Sequence, residues 1–212
     1  MDEPGDHPSE PSGAPFGGAW DDVPLLREIE RVLRSSSGPV NWELARQIGI
    51  ASATQGGPDP EPTEEDHRLL DEGVRVAELR VADLTGLEPP HDVAVVTPVR
   101  RARWVQENLQ GLRTLLEPSA TKLGAAVAAA QQAAMPEEAS AMAGQMLQQL
   151  APLLTGAQVG SVLGYLGQHV LGQYDVAVPR PGGEAALLFV VPNLARFEGD
   201  WSLPPVEFRT FV

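Results

Sequence analysis

Apolar positions recur along this chain with two periods, and the switches between them predict the order of elements. Leu25, Leu26, Ile29, Val32 and Leu33 repeat at helical spacing after Asp22, a plausible N-cap, and Pro24, a first-turn proline. Ser35 to Pro39 ends that helix. Asn41 is the next candidate N-cap, with Trp42, Leu44, Ala45 and Ile48 on the apolar side of a short helix. Thr63 and Asp66 have the spacing of a capping box and open a helix to about Thr85. Its stripe is Leu70, Val74, Ala77, Val81 and Leu84, and Gly86 is its C-terminal cap.

Asp92 to Val96 is short, β-branched and bounded by Pro90 and Pro98, which predicts a strand or an extended link. Thr97-Pro98 predicts the start of a helix that buries Trp104, Val105, Leu109, Leu112 and Leu116 and stops before Pro118. Residues 119–134 and 137–150 predict two Ala-, Gln- and Met-rich helices separated by Pro136, and Thr155 to Leu171 a further one. Gln173–Val178 and Ala185–Val191 predict two strands, either a hairpin around Pro179–Gly183 or neighbours. Pro192 to Trp201 reads as an irregular loop, and Pro204-Pro205 as the start of a last helix. The class is α+β, predominantly α-helical, with helices packed on a small β-sheet.

Gly156, Gly160 and Gly164 recur every fourth residue within a predicted helix. Each costs a helix about 1 kcal/mol relative to Ala. Such a stripe implies close approach of another helix backbone, a small-residue seam.

Charge divides the chain. The net charge is -14, and residues 1–22 and 56–66 carry -6 and -5 of it without a Lys or Arg. Both are rich in Pro and Gly and bury too little apolar surface to offset their ordering entropy. They predict a disordered acidic tail over 1–22 and a solvated acidic Pro/Gly loop over 55–63, leaving one domain over 23–212. The acidity excludes a nucleic-acid binder, whose phosphate affinity needs clustered Lys and Arg. The one basic cluster, Arg100, Arg101 and Arg103, predicts a solvated face at a helix start. With no Cys, disulfides and Cys-based metal or redox sites are ruled out, and nothing points to an oxidising compartment. The acidic N-terminus is unlike a secretory signal, so the expected location is cytoplasmic. Ala139 to Tyr174 lacks Asp, Glu, Lys and Arg and is long enough to cross a bilayer. Six glutamines, Pro152 and Gly156 make two buried helices the expected reading instead of a membrane span.

Catalytic chemistry is missing from these residues. His7, His67, His91 and His169 have no metal-ligand spacing, and no nucleophile elbow, P-loop or dinucleotide fingerprint occurs. Tyr174 and Asp175 read as residues that fix a helix-to-strand junction by hydrogen bonds. The site assignment is therefore catalytic none, cofactor-binding none and metal none.

Five strings together resemble a known family. They are Val40–Ala45 (VNWELA), Asn108–Pro118, Leu163–Asp175 (LGYLGQHVLGQYD), Leu188–Leu194 (LFVVPNL) and Leu203–Arg209 (LPPVEFR). In this order they are similar to the actinobacterial zincin-like metallopeptidases, hydrolases associated with deazaflavin-cofactor biosynthesis, over about residues 23–212. The resemblance implies a helical α+β domain with an active helix carrying His-Glu-x-x-His. In that motif two imidazoles bind zinc and the Glu is general base on the metal-bound water. It also implies a peptide substrate, and a strand, here Ala185 to Val191, that holds it by backbone pairing. In the family the motif follows the Leu-Pro-Pro segment, and here Val212 comes first. The expected protein is thus the N-terminal portion of a zinc-dependent hydrolase. Zinc is expected in the full-length protein and not on this chain, which is expected to be poorly soluble or partly molten alone. The alternative is a non-catalytic helical module that binds a partner.

Overall fold

The computed structural model describes residues 38–88, 95–134, 137–175 and 186–204, without the side chains of 127–128 and 131–149. The acidic tail, the helix expected near residues 22–35, His7, His91 and the helix expected from Pro204 lie outside these residues. Five helices and two strands follow in order. They are α1 (Trp42–Thr54), α2 (Glu64–Thr85), β1 (Val95–Val99), α3 (Arg101–Ala134), α4 (Glu137–His169), β2 (Ala186–Val190) and α5 (Val191–Trp201).

Local signals set the helix starts. The Asn41 side chain accepts from the Leu44 amide at 2.9 Å and caps α1. Thr63 and Asp66 form the reciprocal capping box of α2, and Gly86 closes that helix at φ 68, a conformation glycine adopts without penalty.

The strands pair with each other in parallel, Val95 opposite Ala186 and Val99 opposite Val190. The expected partner of β2, residues 173–178, instead contributes an antiparallel bridge at Gly172 opposite Phe189, with residues 176–178 outside the described residues. The Gln173 amide donates to the Leu188 carbonyl, and the Val190 amide to the Leu171 carbonyl. From Leu188 to Val190 both edges of β2 are thus engaged by the chain's own backbone, so that stretch has no free edge for a pairing peptide. Pro98 lies within β1, not in a helix; it lacks an amide proton and suits an edge strand.

Side chains alternate across this sheet, and both faces are covered. Leu188 and Val190 point to a core with Val99, Trp104, Val105, Leu163, Val170 and Ala53, beneath α1, α3 and α4. Leu187, Phe189 and Val191 point to a second core with Leu70, Val74, Val96 and Leu194, beneath α2 and α5. Each fully buried side chain of this size contributes about 1.5–3 kcal/mol.

The α2 stripe is only half used. Leu70 is buried, whereas Val81 and Leu84 are 57% and 84% exposed. A helix of 22 residues is about 33 Å long. Strands of five residues span only about 17 Å, so the distal turns overhang the sheet.

Two expected helix breaks are absent. Pro118 lies inside α3, and Pro152 inside α4, so each pair of expected helices is one. Pro118 is exposed, and water can take the carbonyl that its ring leaves unbonded. The Pro152 carbonyl accepts from the Asn41 amide at 2.8 Å, tying this part of α4 to the start of α1.

The glycine stripe packs as its spacing predicts. Helices α1 and α4 run in the same direction with their backbones in contact. A Cβ on Gly160 would sit 2.6 Å from the Ala45 carbonyl oxygen, and one on Gly164 2.7 Å from that of Gly49. Gln168 donates to the Ser52 carbonyl at 2.5 Å and fastens the other end of α1. Gly124, in α3, has nothing within 4 Å of where its Cβ would stand. Urea denaturation should therefore separate the two positions. Gly124→Ala should stabilise by about 0.5–1 kcal/mol. Gly160→Leu should destabilise by more than about 2 kcal/mol or prevent folding. Equal effects at both positions would contradict the seam.

Candidate functional site

The two parallel strands end side by side, and their carboxyl ends are where open α/β sheets place ligands. β1 leads through Arg100 into α3, and β2 leads directly into α5. Arg101 and Asn193 are therefore delivered to one place, and both are buried. Arg101 Nε donates to Asn193 Oδ1 at 2.7 Å. Asn193 Nδ2 donates to the carbonyls of Gly167 and Val170 at the end of α4. Arg101 also donates to the Pro58 carbonyl at 3.0 Å and to that of Pro192 at 3.4 Å.

The loop before α2 closes this junction. Asp59 Oδ1 accepts from the Arg101 amide at 2.8 Å, and Oδ2 from the Ala102 amide at 3.1 Å. These are unsatisfied first-turn donors, and a carboxylate there also complements the helix dipole. Asp59 thus caps α3 from 42 residues away. Burial pushes the Arg101 guanidinium below the usual arginine value, repulsion from Arg196 adds to this, and the Asp59 carboxylate opposes both. Around the junction, Arg100 pairs with Glu61 at 3.0 Å, and Arg103 pairs with Glu107.

Two expectations change here. The segment 55–63 is not simply a solvated loop, because Asp59 and the Gly57 and Pro58 carbonyls are bonded to α3. The basic cluster is not one solvated face, because Arg101 is only 3% exposed. The expected irregular loop from Pro192 is helix α5, with Pro192 in its first turn, where a fixed φ and a missing amide cost nothing.

A second polar pair lies deeper. Asn108 and Gln173 exchange side-chain hydrogen bonds, 2.8 Å in one direction and 3.3 Å in the other. The Asp175 carboxylate accepts from the Leu171 and Gly172 amides, as expected for a junction-fixing residue. Tyr174 is exposed. A groove of about 310 Å³ elsewhere is lined by Val40, Trp42, Leu109 and two ion pairs, Glu43–Arg46 and Glu117–Arg113. The hydrogen bond from Arg46 holds the Glu43 carboxyl below its ordinary value.

None of this geometry makes a metal centre. Among the described residues no group of three or more His, Asp or Glu side chains could hold an ion. His67 is exposed on α2, and His169 is exposed, with Nδ1 donating to the Tyr165 carbonyl at 2.7 Å. The described donors do not fit zinc. What the junction does chemically is bind its own loop and order four elements. Asp59, Asn108 and Asn193 carry no local sequence signal of this, because each acts on residues distant in sequence.

Residues 40–212 match the family model of zincin-like metallopeptidases. The chain belongs to that family. Nothing among the curated proteins matches this zincin-like chain. It is also similar, at 27% identity and a TM-score of 0.57, to a Chloroflexus aurantiacus protein whose crystal structure is described as that of a candidate hydrolase with a novel fold. The match covers 81% of this chain and 48% of the other, so the zincin-like chain spans about half the length of that relative.

The trans cap gives a direct test. Asp59→Ala should cost about 1 kcal/mol in urea unfolding. It should also speed hydrogen exchange at the Arg101 and Ala102 amides while leaving α1 amides unchanged. Unchanged exchange at both α3 amides would contradict the capping role.

Proposed function

We propose that this chain is the N-terminal portion of a zinc-dependent metallopeptidase whose His-Glu-x-x-His helix lies beyond residue 212. The observation that carries this is the family match over residues 40–212, together with the half-length overlap with the hydrolase-like relative. The described donors do not fit zinc, so no catalytic step is assigned to them. On this reading the described part is a scaffold, and the substrate is a peptide bound by the other part. The proposed location is cytoplasmic. No helix among the described residues is long and apolar enough to cross a membrane. An actinobacterial source and a role beside deazaflavin-cofactor biosynthesis rest on the sequence strings alone and complete the proposal.

Sequencing the coding DNA past codon 212, then purifying the product of the whole reading frame, tests it. The frame should continue into His-Glu-x-x-His, and metal analysis should find about one zinc per chain. Changing that Glu to Gln should lower peptide hydrolysis by about 100-fold or more and leave the zinc in place. A frame without the motif, or a zinc-free product, would overturn the reading and leave the partner-binding module.

A further inference from the structure

The groove between α1 and α3 holds a donor that the fold leaves unexplained. Its floor is Val40, Trp42 and Leu109, and its rims are the Glu43–Arg46 pair of α1 and the Arg113–Glu117 pair of α3. The indole N–H of Trp42 is buried and has no acceptor. Buried donors are almost always paired, so an orphan marks a missing neighbour. The chain itself enters at this groove. Gly38 lines it, and a Cβ on Gly38 would stand 3.5 Å from Glu117 Oε1. Residues 1–37 precede that point.

Within them, residues 23–34 have the pattern that fits. Leu25, Leu26, Ile29, Val32 and Leu33 fall on one side at helical spacing, with Arg27 and Arg31 opposite. As a helix the segment is about 18 Å long, and Leu109 to Glu117 spans about 12 Å. The stretch 35–41 that joins it to α1 falls within the about 2–8 residues that connect neighbouring helices. Rims of mixed charge suit a segment that carries both Arg and Glu, and not the wholly acidic residues 1–22. The last-turn carbonyls of such a helix lack intrahelical partners. So short a tether also gives an effective concentration on the order of millimolar, an advantage over any separate ligand.

We infer that residues 23–34 dock in the α1–α3 groove as an amphipathic helix antiparallel to α1, and that a carbonyl of their last turn accepts from the Trp42 indole N–H. The groove is then an internal packing site of this chain. This does not depend on the zinc reading above.

A spin label on Arg27→Cys, on the polar side of the segment in a chain with no other Cys, reads the docking by NMR. It should broaden the amide resonances of Arg46 and Leu109 and spare those of residues 122–125, farther along α3. Broadening at 122–125 instead, or at neither place, overturns the inference. So does broadening of an unlabelled chain mixed with the labelled one, which would give the groove to a second copy. Ile29→Asp combined with Val32→Asp should release the segment and speed exchange of the Trp42 indole N–H about tenfold. The Trp104 indole N–H, also buried without an acceptor but in the core, should stay within about threefold. Unchanged exchange at Trp42 contradicts the proposed acceptor. If both indoles accelerate alike, the chain has opened as a whole, and the spin-label pattern decides.

Discussion

Arg101 and Asn193 form the contact on which the arrangement of this molecule depends. Neither can leave its place cheaply. A buried guanidinium without its acceptors, or a buried amide without its donors and acceptors, costs about 1–3 kcal/mol per unsatisfied group, and more where charge is involved. Their mutual bond joins the carboxyl ends of β1 and β2. From Asn193 the network reaches the end of α4, and from Arg101 it reaches the 57–59 loop. Four elements far apart in sequence are thereby held in one orientation around a sheet of two strands. Such a sheet could not specify that orientation through its own ladder.

The glycine seam is the second constraint, and it acts where polar groups do not. It brings the backbones of α1 and α4 into contact, clamped at the Asn41 amide and at Gln168. Together the seam and the polar junction leave α4 fixed at its carboxyl half, with a long uncharged outer face.

Much of this is legible in the residues, and what is not has a common cause. The caps at Asn41, Thr63 and Gly86 are local, since each is set by a side chain or a φ angle within four residues. The seam is legible because three glycines at a four-residue period weaken an isolated helix, and close contact with a second backbone offsets that loss. Pro118 and Pro152 predict breaks because an isolated helix would break there. The fold tolerates one in solvent and ties the other to α1. The parallel pairing of β1 with β2 joins segments some ninety residues apart, and a hairpin is the local alternative. Asp59 looks like one more acid in a Pro/Gly loop, and only the folded chain brings it to the start of α3. The candidate site is least legible, because Asn193 and Arg101 gain their roles from each other and from loop and helix-end carbonyls distant in sequence.

A double-mutant cycle on that pair tests the account most directly. Arg101→Met, Asn193→Leu and the double variant would be compared by urea unfolding of the chain. Each single change strands buried polar groups of its partner, and the double change removes both sides of the bond. The account predicts that the double variant loses at least about 1 kcal/mol less than the sum of the singles. Additive losses would mean that the two side chains do not depend on each other, and the junction would not be what orders the fold.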